Sequence, residues 1–320
     1  MPVTTKSLTI NEQLHGLRLD QAIMEAKIGL SRRKGKAIVD IGGCYLNKKR
    51  VRKASRLVYK GDTVRLEFDL EKLKQKPPLK PNLSESQILY QGHGIIAINK
   101  PPGMPSQATK TQAIFHVANA IETFLKEKKG HHKKVTLVHR LDQETSGVIL
   151  VATNKASANW LLESFRQRTI KKTYIALCWG KAEDNFSNHS SLTPIDQNGI
   201  VSVCDTHHPF GKSAKTKFKK LADFDTAEHA VSLVQANPFT GRSHQIRVHL
   251  QQEKLPIIGD KKYGRIPPKD LSTPLKSLAA EHHFLHAKSL TFRPGPDLDE
   301  ITVDAPVPQN FELFHQKLSQ

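Results

Sequence analysis

Between Leu70 and Ser86 the apolar periodicity of this chain stops, and Lys72, Lys74, Lys76, Pro77, Pro78, Lys80 and Pro81 stand among Ser and Asn residues instead. A segment of that composition neither sustains a helix nor feeds a hydrophobic core, so it reads as a linker between two folded bodies. The 320 residues then divide into 1–69, a linker over 70–86, and 87–320, and the last of these is long enough for a core of ordinary size.

Ahead of the break, Leu19, Ala22, Ile23 and Ala26 recur at helical spacing, and Ser31 to Asp40 reads as a second helix with Ser31 as N-cap and Gly42 just past its end. After the Gly61-Asp62 turn, Val64, Leu66 and Phe68 alternate with Arg65 and Glu67, the period of a half-buried strand. From Ser31 to Lys60 there are eleven Lys or Arg residues and a single acid, Asp40. An isolated charge run is usually a solvated face, but on a small helix-and-strand module such a density suits phosphate binding.

The whole chain is basic as well. Its 49 Lys and Arg against 30 Asp and Glu give a formal charge of +19 and an isoelectric point near 9.8, which implies attraction to a polyanion, with nucleic acid foremost. An anionic membrane surface fits less well, because the basic residues sit in mixed segments rather than along one amphipathic helix with an aromatic face. No apolar run approaches the roughly eighteen residues of a membrane span, and Met1 to Gln13 has neither the basic start nor the apolar centre of a secretory signal; the expectation is a cytosolic protein. Cys44, Cys178 and Cys204 are odd in number and too far apart for a clustered metal motif, so idle thiols are the simplest reading.

Beyond the linker, Ile95 to Asn99, Val135 to Val138, Gly147 to Ala152, Thr173 to Leu177 and Val231 to Gln235 read as strands. Ala113 to Lys126 and Lys155 to Arg166 carry apolar residues at helical spacing. Strands and helices do not alternate regularly, which favours an α+β domain with a largely antiparallel sheet. Lys181 to Thr216, rich in Asn, Ser, His and Asp, reads as a long excursion or peripheral hairpin.

Two polar segments stand out. His139-Arg140-Leu141-Asp142-Gln143-Glu144-Thr145-Ser146-Gly147 lies between two strand-like runs, in a loop whose side chains can face a ligand. Thr240 to Leu250 packs seven polar or charged residues into a turn and the start of a helix whose apolar stripe is Ile246 and Leu250. An aspartate beside an arginine is more often a surface ion pair than a site, so neither segment decides the function alone.

Taken together, these segments resemble the RluA-type pseudouridine synthases, in the branch with an N-terminal RNA-binding domain. The resemblance is carried, in order, by Asn99-Lys100-Pro101-Pro102-Gly103; His139-Arg140-Leu141-Asp142 with Thr145-Ser146-Gly147; Lys172-Thr173-Tyr174-Ile175-Ala176; and Thr240-Gly241-Arg242 with His244-Gln245-Ile246-Arg247 and His249-Leu250. Pro256-Ile257-Ile258-Gly259-Asp260 with Tyr263-Gly264, and Leu285-His286-Ala287, extend it. In the front region Arg18-Leu19-Asp20, Ser31-Arg32-Arg33, Gly43-Cys44-Tyr45-Leu46-Asn47 and Gly61-Asp62 are similar to the S-four type of RNA-binding domain over about residues 16 to 68. Gln91-Gly92-His93-Gly94 and the Lys181 to Thr216 region depart from the family pattern.

The resemblance implies an α+β synthase domain and assigns the residues. Asp142 is the catalytic carboxylate, either attacking the nucleoside or removing a proton from its sugar; Arg247 pairs with it and keeps it ionised; Tyr174 stacks on the uracil and takes part in proton movement at carbon 5. Ile246 and Leu285 line the pocket, Arg140 fills the gap left by an extruded nucleotide, and His139 and Arg242 complete the substrate-binding set. Arg32, Arg33, Lys34, Lys48, Lys49 and Arg50 are the expected RNA contacts of the front domain. Large-subunit ribosomal RNA is the favoured target, with transfer RNA second, and a monomer is the default.

No GxxxxGK[ST] or GxGxxG loop appears, and the isomerisation is redox-neutral, so no cofactor is implied. His282, His283 and His286 have helical spacing but no supporting carboxylate or thiolate cluster, so no metal site is assigned. The readings to be excluded are a non-catalytic RNA-binding or ribosome-assembly factor and a metal-dependent RNA hydrolase.

Overall fold

The computed structural model describes residues 4–318 apart from 41, 69–82, 109–114, 131–132, 226–229, 265–275, 277–278 and 280–281. Most of the segment read as a linker, including its lysines and prolines, lies outside the described residues, as does the side chain of Arg33. Two compact units are present, one ending at Phe68 and the other starting at Leu83 among the described residues. The second unit begins inside the stretch read as linker: Leu83 is buried in its core, and a 3-10 turn over Glu85–Gln87 follows.

The first unit packs two helices on a four-stranded antiparallel sheet. Its elements are β1 (Thr4–Thr9), α1 (Leu19–Glu25), α2 (Arg32–Asp40), β2 (Cys44–Leu46), β3 (Lys49–Val51) and β4 (Thr63–Phe68), with strand order β1-β4-β2-β3. Leu19, Ala22, Ile23, Ile38, Val64 and Leu66 meet in one core, as the two periodicities require. Arg32, Lys34, Lys48, Lys49 and Arg50 are all exposed; Arg32 Nε also donates to buried Asp20 at 3.2 Å. Lys48 takes the left-handed conformation (φ 65°) of a tight turn between β2 and β3 and so stands out from the sheet.

The second unit is built on one large sheet. Its strands are β5 (Ile88–Gly92), β6 (Ile95–Lys100), β7 (Thr136–Leu137), β8 (Ser146–Ala152), β9 (Lys171–Trp179), β10 (Asn185–Asn188), β13 (Thr216–Asp225), β14 (Ala230–Pro238), β15 (Leu285–Phe292) and β16 (Ile301–Asp304), and the short pair β11 (Ser191–Leu192) and β12 (Val203–Cys204) stands apart. The order is β10-β13-β14-β9-β15-β8-β6-β5, with β16 on β15 and β7 on β8. Every pairing is antiparallel except β15 with β8, so the fold is α+β with a largely antiparallel mixed sheet.

Its helices are α3 (Val117–Lys129), α4 (Lys155–Arg166), α5 (Gln245–Gln252) and α6 (Gln309–Leu318). The spacing predicts a helix over 113–126; the first turn starts later because His116 caps it, accepting from the Asn119 amide at 3.3 Å, and the last turn runs on to Gly130, whose φ of 71° closes it. All seven residues of β8 are buried. Val148, Leu150 and Ala152 pack under Ala158 and Leu161 of α4, while Ile149 and Val151 pack under Val117, Ala120 and Ile121 of α3, so β8 is covered on both faces.

One junction in the sheet positions everything that follows. β15 and β8 run parallel for only two residue pairs, His286–Ser146 and Ala287–Gly147, and then separate, β15 to pair with β16 and β8 to end against β7. Gly147 makes this approach possible: it has φ 107°, and a Cβ there would lie 2.2 Å from the Ala287 carbonyl oxygen. The loop carrying Asp142 therefore ends at the point where two buried strands meet.

Candidate active site

The Asp142 loop is clamped from below. Ser106, buried, donates to the Leu141 carbonyl at 2.7 Å and accepts from the Leu141 amide at 3.0 Å. Lys100, fully buried at the end of β6, donates to three carbonyl oxygens, those of Pro101 (3.0 Å), Met104 (2.8 Å) and Gln143 (2.9 Å). Burial drives the Lys100 ammonium down to about 7, with Glu144 and Asp142 opposing the fall.

Three histidines of a single strand entry hold the next three residues of the loop. His282 Nδ1 meets the Glu144 carboxylate, His283 Nε2 meets Thr145 Oγ1 at 2.9 Å, and His286 Nδ1 meets Ser146 Oγ at 2.9 Å. Burial pulls His283 and His286 to about 4, so both are neutral at pH 7. The histidine spacing thus reflects loop anchoring by hydrogen bonds.

The second polar segment lies opposite. Gln245, buried at the start of α5, accepts from Thr240 Oγ1 (2.7 Å) and the Arg242 amide (3.0 Å) and donates to the Lys215 carbonyl (3.0 Å) and Thr216 Oγ1 (2.9 Å), which fixes the turn over 240–245. Arg247 follows one position beyond Ile246 on the same helix. It donates from Nη1 to Asp142 Oδ2 at 2.8 Å and, as a two-pronged fork, from Nε (2.6 Å) and Nη2 (2.8 Å) to Asp260. Asp260 also accepts from the amides of Lys262 (2.9 Å) and Tyr263 (3.1 Å), and the Arg247 guanidinium lies 4.9 Å from the Tyr263 ring centroid.

The electrostatics follow from this geometry. Burial alone would raise the Asp142 carboxyl, but the charge that His244 carries at the acid pH where Asp142 titrates, together with the charge and hydrogen bond of Arg247, outweighs it and holds the group below its ordinary 3.8. Asp260 is depressed in the same manner, with Arg247 overcoming its burial. The Asp142 side chain is 27% exposed against 7% for Arg247 and none for Asp260. An ionised carboxylate is therefore presented to a cleft by a cation that is itself anchored from behind.

That cleft, of about 480 Å³, is lined by Asp142, Tyr174, Arg140, Arg242, Ile246 and Leu285, together with His139, Phe165, Lys172 and Phe239. The structure brings together every catalytic and substrate-binding residue read from the sequence. Tyr174 reaches it from β9, and burial and the Asp142 charge push its phenol upward, so it is protonated at pH 7. Arg140 is exposed and donates to Ser243 Oγ across the cleft. His139 lines the cleft while its Nε2 accepts from the Leu150 amide at 2.8 Å; its ring lies 4.6 Å from Phe165, and burial with Lys172 nearby drives it to about 3. Arg242 likewise spends Nε on the Ser213 carbonyl at 3.1 Å.

Several contacts cannot be read from sequence spacing. Asp260 stands 13 residues beyond Arg247, past the end of α5, and Ser106 precedes Leu141 by 35; neither separation follows a helical or strand period. Tyr263 and His244 sit in family-like segments, but only the fold shows them in contact, with His244 Nδ1 2.7 Å from Tyr263 Oη. The 181–216 excursion forms β10 on the sheet edge and the β11–β12 pair, and its Leu192, Val201 and Ala214 pack with Val248 and Tyr263.

A cleft with one ionised, arginine-paired aspartate, a neutral tyrosine and a basic rim on a largely antiparallel sheet is the arrangement that the family resemblance implies for an RNA-modifying isomerase. The model of the RNA pseudouridylate synthase family matches residues 94–252, and the chain belongs to that family. Over nearly its full length it is similar to ribosomal large subunit pseudouridine synthase C of Vibrio parahaemolyticus, with 31% identity over 310 residues, 95% of this chain and 93% of that one. The corresponding Haemophilus influenzae protein is 31% identical, covering 99% of this chain and 96% of its own. Among solved structures, human RNA pseudouridylate synthase domain containing 4 superposes with a TM-score of 0.58 at 26% identity, over 73% of this chain and 92% of that one.

Proposed function

We propose that this pseudouridine synthase modifies large-subunit ribosomal RNA and that Asp142 is its catalytic carboxylate. The observation that carries the reading is the Asp142–Arg247 pair at 2.8 Å, at the floor of a cleft that Tyr174 also lines. The target ribosomal RNA is supported by the names of the full-length relatives.

The reaction breaks the bond from uracil N1 to ribose C1′, turns the base, and joins C5 to C1′; N1 gains a proton and C5 loses one. An ionised carboxylate can serve as nucleophile at C1′ or as base toward the sugar, and Arg247 keeps Asp142 ready for either role. Tyr174, protonated and beside the same cleft, is suited to stack on the uracil and to relay the C5 proton. A stacked uridine cannot reach Asp142, so the nucleotide is extruded at a cost of a few kcal/mol, and exposed Arg140 is placed to occupy the space it leaves. Arg32, Lys34 and Lys48 to Arg50 of the first unit supply charge for phosphate contacts, with the unit acting as an RNA-binding domain. The protein works as a monomer in the cytosol on this reading.

The test is to incubate the protein with ribosomal RNA and transfer RNA from a strain lacking it and to map pseudouridine chemically. New pseudouridine at discrete large-subunit positions is the expected result. Modification confined to transfer RNA, or none on either, would overturn the assignment.

A further inference from the structure

His244 occupies the cleft without a role in the mechanism above. It is held in the left-handed backbone region (φ 54°, ψ 14°) immediately before α5, where a non-glycine residue stores on the order of 1–3 kcal/mol, and its side chain makes no capping bond to the helix. Strain that contributes nothing to the helix calls for another use of the side chain.

The hydrogen bonds around it determine where its proton sits. Tyr263 Oη accepts from the Val201 amide at 2.7 Å, so its own proton is free to point at His244 Nδ1, also 2.7 Å away. With Nδ1 accepting, the neutral ring carries its hydrogen on Nε2. Burial, helped by Arg247 and Lys262 against the pull of Asp142, keeps His244 below its ordinary 6.5, which favours that neutral form at pH 7. Nε2 lies on the cleft side, 3.9 Å from Asp142 Oδ2, too far for a hydrogen bond, and the structure gives it no acceptor among the described residues. A donor of fixed tautomer is thus aimed into the cleft beside the carboxylate and left unused.

We propose that His244 is a substrate-contacting residue, its Nε2–H donating to an oxygen of the extruded nucleoside next to Asp142, with Tyr263 holding the tautomer. The inference rests on the reading of this cleft as the uridine site. It also gives the 181–216 excursion a part in the reaction: the Val201 amide, delivered by the segment between β11 and β12, orients the Tyr263 hydroxyl that in turn orients His244.

The experiment uses the full chain and transcribed large-subunit ribosomal RNA tritiated at uracil C5, since joining C5 to the sugar expels that hydrogen. His244→Gly relieves the backbone strain, so the variant is expected to melt no lower than wild type, yet to lose roughly 10- to 100-fold in turnover at saturating RNA, the range of one or two lost hydrogen bonds. His244→Gln, whose amide can reach a similar point, recovers part of the loss. Tyr263→Phe lowers turnover less, and adding it to His244→Gly produces no further drop, because both act through one donor. A His244→Gly enzyme with wild-type turnover and KM would overturn the proposal, as would losses that simply multiply in the double variant. If wild type releases tritium and Asp142→Asn does not, such a result removes the His244 role alone; if wild type releases none, the uridine site itself falls and this proposal with it.

Discussion

Asp260→Asn isolates the support behind the Asp142–Arg247 pair. The substitution keeps shape and volume but removes a charge whose side chain is fully buried, and it turns one of two accepting oxygens toward Arg247 Nε or Nη2 into a donor. Breaking a buried pair from one side typically costs about 3–5 kcal/mol, most of it the penalty of leaving the other charge without its partner. Against a domain stability of roughly 5–15 kcal/mol that is a large share. Both tryptophans, Trp160 and Trp179, lie in the second unit, so urea unfolding followed by tryptophan fluorescence reads the right body. We expect a lower midpoint with an unchanged slope for Asp260→Asn. Arg247→Met with Asp260→Leu should be better tolerated than the sum of the single changes by about 2 kcal/mol or more, while activity stays lost. A stability loss under about 1 kcal/mol for Asp260→Asn, or strict additivity in the double variant, would refute the view that Asp260 anchors Arg247.

Three further expectations follow from the same geometry. Stability should fall as pH drops: His139, depressed to about 3, and His249, His283 and His286, each to about 4, stay neutral in the folded chain while the unfolded chain protonates them below 6.5. Asp142 and Asp260, held under 3.8, add a loss that sets in below that value, so a urea midpoint that is flat from pH 6.5 to 4 would contradict this. Gly147→Ala places a methyl group 2.2 Å from the Ala287 carbonyl at a φ of 107°, and should either fail to fold or lose more than about 2 kcal/mol; a variant as stable as wild type in the same assay would remove the close-approach argument. Removing residues 1–68 should weaken RNA binding and flatten its dependence on salt while sparing single-turnover modification at saturating RNA, and an equal loss of that rate would count against a binding role for the first unit.

What the sequence conveyed depended on how local each feature is. The strands β6, β8 and β9 and the helix α4 were legible because their apolar patterns are set by their own burial. β13 was not, since Thr216 to Asp225 mixes three lysines and two aspartates with its apolar residues and lies one strand from the sheet edge, where the pattern weakens. β15 went unread because it serves three partners, β9, β8 and β16, along eight residues. At the site, Asp142, Tyr174 and Arg247 were visible through motifs. Their supports were visible only in part: Lys100 and Asp260 stand in the family-like segments, but the carbonyls that Lys100 binds, the Ser106 contact and the Asp260–Arg247 fork are announced by no spacing. His139 is a motif residue that lines the cleft while its Nε2 accepts from the Leu150 amide, a contact its motif does not announce.

We propose that a single ionised aspartate, held by Arg247, carries the isomerisation. The most direct measurement is tritium release from C5-labelled large-subunit ribosomal RNA by Asp142→Asn under single-turnover conditions, with RNA affinity measured in parallel. Unaltered affinity with release at or near background is the predicted result; release at a rate approaching wild type would show that some other group does the chemistry.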